Sequence, residues 1–355
     1  MESKTSQPPN CVLVTGGSGF VGSHIVQQLL HSDPTITVAI LSRTPKKLGI
    51  FDGRVTYHSA DIASPSQVQS VFDKLHPIAV IHAATPSSVL PALIHNKTNI
   101  IGTNTLLDTA KQCKETRAFI YTSSDSALIP TQTPLTEADA QLHTATTFNN
   151  PYGRSKALAD AAVQAANCSD LATAVLRLPC VYGERAHNLV PQLLSSLRQS
   201  QHKMQLGSNE KVFEFVYAGK AGEAHVLAMR ALLAPNDNPG VAGEAFHISD
   251  GVPEPFWDFA RRCYAAAGSP VAAEEMTVIP FAAVQVMASV GEWVYWVFTL
   301  GRKTPEMRRV SIDYLGGGCC WNIGKAREKL GYVPVGDQDG AIRRSVEWAM
   351  ENANV

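Results

Sequence analysis

The stretch CVLVTGGSGFVGSHIVQQLL, Cys11–Leu30, decides the fold. Its first five residues form a short, apolar, β-branched run that reads as a buried strand. GGSGFVGSH then turns the chain, and IVQQLL has helical spacing. Gly16 permits the tight turn, Gly19 lets the backbone approach a pyrophosphate, and Gly22 lets helix and strand pack closely. Backbone N–H groups and the helix dipole then face the phosphates. Such glycine turns occur in many strand–helix corners; the strand–turn–helix context is what points to a dinucleotide.

Outward from this unit the pattern repeats. Strand candidates are Thr35–Ser42, Ala79–Ala83, Ala118–Thr122 and Ala174–Leu178, with helical stretches at Pro65–Leu75, Asn99–Gln112 and Tyr152–Asn167. This alternation predicts an α/β fold, a Rossmann-type doubly wound parallel sheet over residues 11–185. After about Gly183 the rhythm changes. Leu189–Leu197, Ala221–Leu233 and Phe256–Ala267 read as helices, and Val212–Tyr217 and Ala245–Ile248 as strands. Residues 186–211 and 249–340 read as a smaller C-terminal substrate lobe, with segments near 212–248 returning to the sheet. A final helix, Ala341–Asn352, would place Ile342, Val346 and Met350 on one side. Residues 1–10 read as disordered.

The chain has 355 residues and a formal net charge of -1, with no lysine/arginine run suited to nucleic acid. Seven cysteines without CxxC or Cys/His ligand spacing argue for reduced thiols and against a disulfide framework or a metal site. No basic-then-apolar leader opens the sequence, so the sequons at Asn96 and Asn167 read as chance matches and a cytoplasmic location is expected. Pro280–Leu300, PFAAVQVMASVGEWVYWVFTL, is nearly all apolar, with Gln285, Ser289, Glu292 and Thr299 on one narrow helical stripe. Glu292 near its middle makes a membrane span costly. Residues 281–300 read instead as a helix at the membrane surface, such as the cytosolic face of the endoplasmic reticulum, or as a buried lobe helix or greasy lid.

The end of the second strand selects the cofactor. A carboxylate there would favour NAD through the ribose 2′-OH. The sequence reads ILSRTPKK, so Ser42 and Arg43 stand there with Lys46 and Lys47 behind, and a guanidinium suits a 2′-phosphate. NADP is therefore expected over NAD, the alternative being Arg43 stacked on adenine or in solvent. Asp61 and Ile62 are placed to meet the adenine edge.

NNPYGRSKALAD, residues 149–160, sets Tyr152 and Lys156 four positions apart on one helix face. An isolated pair of this kind is usually helix surface. A phenol beside an ammonium is also a proton carrier, because the cation favours the phenolate. His82 reads as packing under the cofactor, Cys180 as a small lining residue, and Tyr182 and Gly183 as lying near the nicotinamide mouth. Trp257, Trp293, Trp296 and Trp321 read as packing groups whose apolar area can line a substrate pocket.

The TGxxGxxG turn, HAA at 82–84, Asn99, YTSS at 121–124, YxxxK and RLPCVYG at 177–183, in this order, resemble the extended short-chain dehydrogenase/reductases. The resemblance implies that Tyr152 takes the alcohol proton as hydride leaves for the nicotinamide, and that Ser124 hydrogen-bonds the same oxygen. Lys156 would also hold the nicotinamide ribose, and Asn99 would anchor a water in a proton relay. Ser123 and Ser126 compete with Ser124 for that role. Asp125 is expected to point away or to modify the site electrostatically. Phe20, Val21, Ala83, Ala84, Pro179 and Val181 complete the expected cofactor contacts.

VYGERAHNLVPQLL, GEAFHISDGVPEPFWDFARRCYAAAG, EWVYWVFTLGRKTPEMRR and NIGKAREKLGYVP look like the 3β-hydroxysteroid dehydrogenase group, within it the decarboxylating sterol-4α-carboxylate type. This implies a hydrophobic small-molecule substrate, oxidation of a 3β-hydroxyl, and loss of carbon dioxide where position 4 bears a carboxylate. A homodimer through a four-helix contact is also implied. Ser42-Arg43 and Ala218-Gly219-Lys220 depart from the expected acidic strand end and Val-Asp-Asn-like turn, which points toward a tailoring dehydrogenase of terpenoid or steroid-like metabolites. The alternatives are an NADPH-dependent ketone or aldehyde reductase, a nucleotide-sugar epimerase, and a non-catalytic cofactor-binding regulator.

Overall fold

The computed structural model describes residues 10–144, 147, 150–236, 239–281 and 314–352. The opening stretch folds as read: strand β1 (Asn10–Thr15) runs through the glycine turn into helix α1 (Phe20–Ser32). The other sheet strands are β2 (Ile36–Ser42), β3 (Val55–Ser59), β4 (Ala79–His82), β5 (Ala118–Ser124), β6 (Ala172–Leu178) and β7 (Glu244–His247). They pair in parallel throughout, in the order β7-β6-β5-β4-β1-β2-β3.

The β-strand runs are apolar rather than alternating because both sheet faces are covered. Val12, Val14, Ile40, Ile81, Ile120 and Leu176 face α1 and helix 218–233. Leu13, Leu41, Val80, Phe119 and Val175 face the opposite layer. That layer is α2 (Pro65–Leu75), α3 (Gly102–Gln112) and α4 (Pro151–Ala165). The strand order reverses between β1 and β4, so a crevice opens beyond their C-terminal ends, where open α/β sheets bind ligands.

A third core underlies the C-terminal part of the chain. It joins α5 (Leu189–Arg198), Phe215 of the strand before α6 (Ala218–Leu233), α7 (Phe256–Ala266) and, past α8 (Gly324–Leu330), α9 (Gln338–Glu351). Phe215 stacks on Phe259 with ring centroids 3.9 Å apart.

Several boundaries differ from expectation. The run expected as one strand, Val212–Tyr217, is two, Val212–Phe213 and Phe215–Tyr217, parted at the buried Glu214. The expected helix Asn99–Gln112 starts earlier, through Ala92–His95 and a π-helical turn, Asn96–Ile101. In α9, Ile342 and Val346 are buried but Met350 is 54% exposed, with Ala349 buried in its place. A step of four residues overshoots a 3.6-residue turn, so the third member of an i, i+4, i+8 series drifts off the buried face. Residues 1–9, most of 281–300, Trp293 and Trp296 lie outside the described residues. Among the described residues no helix is long and apolar enough to cross a membrane.

Candidate active site

The glycine turn closes on itself. Gly16 has φ +72, and its carbonyl accepts the Gly19 N–H at 2.8 Å. A Cβ at Gly22 would stand 2.1 Å from the Gly16 carbonyl oxygen, so only glycine fits. Gly19 is the N-cap of α1, and no side chain caps that end. The turn therefore presents bare backbone and a helix N-terminus to an anion, with Phe20 and Val21 opening the helix, and a dinucleotide pyrophosphate fits it. Across the crevice the Ala83 N–H donates to the Thr15 carbonyl at 3.2 Å and the Ala84 N–H to Thr15 Oγ1 at 3.2 Å.

At the other end of the cradle Ser42 closes β2 and Arg43 is exposed. The Ser18 hydroxyl donates to the Lys46 carbonyl at 2.9 Å, which lays the 43–47 segment beside the glycine turn. Asp61 is engaged already: Lys97 meets its carboxylate at 2.8 Å and the Ala63 N–H donates to it at 3.0 Å. These contacts, with Lys97 foremost, hold its carboxyl below the ordinary range. Ile62 is buried under α3. Pro179 links β6 to the short strand Cys180–Tyr182, whose Val181 pairs with Val216.

The catalytic candidates converge at the end of β5 and the start of α4. The Asn150 side chain caps α4 by accepting the Tyr152 N–H at 2.9 Å, and Pro151 occupies the first turn. Tyr152 is half-buried, its ring edge-on to His95 at 5.6 Å. Burial pushes its phenol up to about 12; the nearby Ser124 hydroxyl pulls down and the Asp125 charge pushes up. Lys156 is buried, and its ammonium donates to the Thr122 carbonyl at 2.7 Å and lies 4.7 Å from the Tyr121 ring centroid. Burial lowers it to about 7, against the pull of Asp160. The expected acidification of the phenol by Lys156 is not among the influences on it in the protein alone, where desolvation is the largest.

The three serines separate cleanly. Ser123 donates to Asp160 at 2.8 Å and Ser126 donates toward Asp125 at 3.5 Å, whereas Ser124, whose hydroxyl donates to Asp125 at 3.2 Å, is the serine whose proximity pulls the Tyr152 phenol down. Asn99 sits in the π-helical turn, a local irregularity frequent at functional sites. Its amide donates to Ser155 Oγ at 2.8 Å and its carbonyl oxygen accepts from Thr85 at 3.1 Å, while Ser155 donates to the Tyr152 carbonyl at 2.6 Å.

Asp125 does not point away. It is buried and accepts hydrogen bonds from Ser124 at 3.2 Å and from the Tyr314 hydroxyl at 2.9 Å. His82 is locked between Thr15 at 2.6 Å and Thr103 at 3.0 Å, and burial drops it to about 3, so it is a neutral packing group. Burial pushes the Cys180 thiol up to about 12, which leaves it inert. Tyr182 is fully buried, its hydroxyl donating to Asp250 at 2.8 Å. Trp257 lines a cavity of about 200 Å³ with Phe213, Phe256, Phe281 and Leu315. Trp321 is buried beside His247. His76, Cys113 and Glu115 bring ligating atoms within 4.8 Å of one another at the surface, a grouping hidden by their sequence separation, and there they bond one another.

Sequence reasoning missed Asp160, Arg177, His95 and Glu214. Asp160 lies one further turn along the Tyr152–Lys156 face, and that spacing was the available signal.

Residues 13–279 match the model of the 3-beta hydroxysteroid dehydrogenase/isomerase family. The chain is 50% identical over 293 residues to "Sterol-4-alpha-carboxylate 3-dehydrogenase ERG26, decarboxylating" of Gibberella zeae, covering 82% of this chain and 97% of that protein. It is 34% identical over 344 residues to the protein of the same description in Schizosaccharomyces pombe, covering 96% and 98%. Among solved structures, dTDP-glucose 4,6-dehydratase from Bacillus anthracis in complex with NAD shares the fold with a TM-score of 0.73 at 17% identity, covering 96% of this chain and 97% of that one.

Proposed function

The chain belongs to the 3-beta hydroxysteroid dehydrogenase/isomerase family, and we propose that this dehydrogenase oxidises the 3β-hydroxyl of a sterol, steroid or triterpenoid-like substrate. Where position 4 carries a carboxylate, the resulting β-keto acid loses carbon dioxide, because the new ketone accepts the electrons of the breaking bond. The observation that carries the reading is the meeting of Ser124 with Tyr152, one helical turn from Lys156, at the C-terminal edge of the sheet beside the glycine turn.

When bound, a nicotinamide dinucleotide supplies the hydride acceptor. Tyr152 holds and then takes the alcohol proton; Ser124 orients the reacting oxygen; Lys156, fixed by Thr122, supplies positive charge beneath them. The aromatic wall of the cavity at Trp257, Phe256 and Phe281, which Asn209, Glu210 and Lys211 also line, offers apolar surface to a ring-bearing ligand. NADP is the favoured cofactor, supported by the exposed Arg43 at the end of β2 and the absence of a carboxylate at Ser42.

The test incubates the purified protein with a 4α-carboxy-3β-hydroxysterol and either NADP or NAD. Reduced cofactor and carbon dioxide should appear together, and Arg43→Ala should lower kcat/KM for NADP but not for NAD. NADPH-dependent reduction of simple ketones, with no turnover of the sterol, would favour the reductase reading. The homodimer implied by the resemblance would cover the exposed Leu93, Ile101 and Leu158, and a monomer by light scattering would remove it.

A further inference from the structure

We propose that Asp125 is a positioning residue of the reaction: with Tyr314 behind it, its carboxyl decides whether the Ser124 proton points toward the substrate oxygen or away from it. This rests on the catalytic reading of Ser124 and Tyr152.

The geometry is specific. Ser124 has one proton and gives it to Asp125 Oδ1 at 3.2 Å, while its oxygen accepts the Ser126 N–H at 3.2 Å. The other carboxyl oxygen, Oδ2, accepts the Tyr314 hydroxyl at 2.9 Å. Tyr314 thereby leaves Oδ1 to the serines, Ser124 at 3.2 Å and the more distant Ser126 at 3.5 Å. The Tyr314 oxygen is itself fixed, 3.4 Å from the Cys180 thiol and 3.8 Å from that of Cys319, and its ring lies 5.5 Å from Phe213 in the lobe core. Tyr314 of the C-terminal segment thus reaches the reacting serine through the Asp125 carboxyl group.

A carboxylate and a substrate oxygen compete for the same serine proton. With Asp125 ionised, the proton is drawn to Oδ1, and the negative charge opposes phenolate formation at Tyr152. With Asp125 protonated, Oδ1–H donates to Ser124 Oγ, and the serine proton is released toward the substrate.

Among the described residues, the groups facing Asp125 leave it without a cation. Ser124 and Ser126 share its strand end, Tyr152 faces it from α4, Cys180 from the short strand after β6, Glu214 from the break before Phe215, and Tyr314 and Cys319 from the C-terminal segment. Among the described residues no lysine, arginine or histidine pairs with it. Burial accordingly raises its carboxyl above the ordinary range, so the protonated state is within reach.

The experiment measures the pH dependence of kcat for oxidation of a 4α-carboxy-3β-hydroxysterol in wild type, Asp125→Asn, Tyr314→Phe and the double variant. Asp125→Asn removes the charge and keeps an N–H able to donate to Ser124, so the acid limb should move down by about half a pH unit or more. Tyr314→Phe removes a bond that favours the carboxylate, so the limb should move the same way. In the double variant the Tyr314→Phe shift should vanish, because the amide that replaces the Asp125 carboxyl has no charge to lose. Cofactor binding and melting temperature verify folding; should Asp125→Asn not fold, Tyr314→Phe decides alone. An acid limb that stays in place in the folded variants, with Tyr152→Phe inactive, overturns the proposal and leaves the catalytic reading standing. Retained turnover in Tyr152→Phe overturns both.

Discussion

The Asp160 carboxylate and the Arg177 guanidinium meet through two hydrogen bonds, 2.9 and 3.0 Å long, with both side chains buried. The pair ties α4, which carries Tyr152 and Lys156, to β6. Asp160 also accepts from Ser123 and from Gln164, so the same carboxylate takes one of the three serines out of contention.

Removing one partner strands the other in the core. Asp160→Asn or Arg177→Met should therefore cost about 3–5 kcal/mol of stability. The urea midpoint of each variant checks this, and a midpoint equal to that of wild type would show that the pair contributes nothing to the fold.

Lys156 should be a stability liability retained for function. Its folded value of about 7 lies below the ordinary 10.5, so the unfolded chain holds the proton more tightly. Stability from this group rises with pH from about 7 to 10.5 and is lowest below 7. Lys156→Met should raise the stability of the cofactor-free protein at pH 6 by about 1–4 kcal/mol, with the gain shrinking toward pH 10. Melting curves across that range test the sign, and turnover should be lost.

Gly22→Ala should damage cofactor binding and fold together, because the added methyl would collide with the Gly16 carbonyl. Overpacking of this kind costs about 1–3 kcal/mol. Titration with reduced cofactor, followed by fluorescence, should show at least about a tenfold weaker Kd. Unchanged binding would mean that the turn does not hold the pyrophosphate.

Much of this was legible in the chain. β1, β2, β4, β5 and β6 are buried on both faces, and their apolar runs announce it. β3 is an edge strand, VTYHS, only half-buried, and its mixed polarity gives no such signal. Glu214 interrupts an apolar run, yet nothing local says that the strand breaks there. Ser124, Tyr152 and Lys156 could be read because a helix fixes i and i+4 and a motif orders the rest. The Asp160–Arg177 pair and the inward turn of Asp125 were not legible. Each depends on a partner carried by another element, Arg177 on β6 and Tyr314 lying 189 positions from Asp125.

The central claim is that Tyr152 moves the proton, and single-turnover kinetics of Tyr152→Phe tests it most directly. Prebound cofactor is mixed with a 4α-carboxy-3β-hydroxysterol, and hydride transfer is followed by absorbance. The rate should fall by about 10²–10⁴-fold with the cofactor Kd unchanged. A variant that transfers hydride at the wild-type rate would contradict the account.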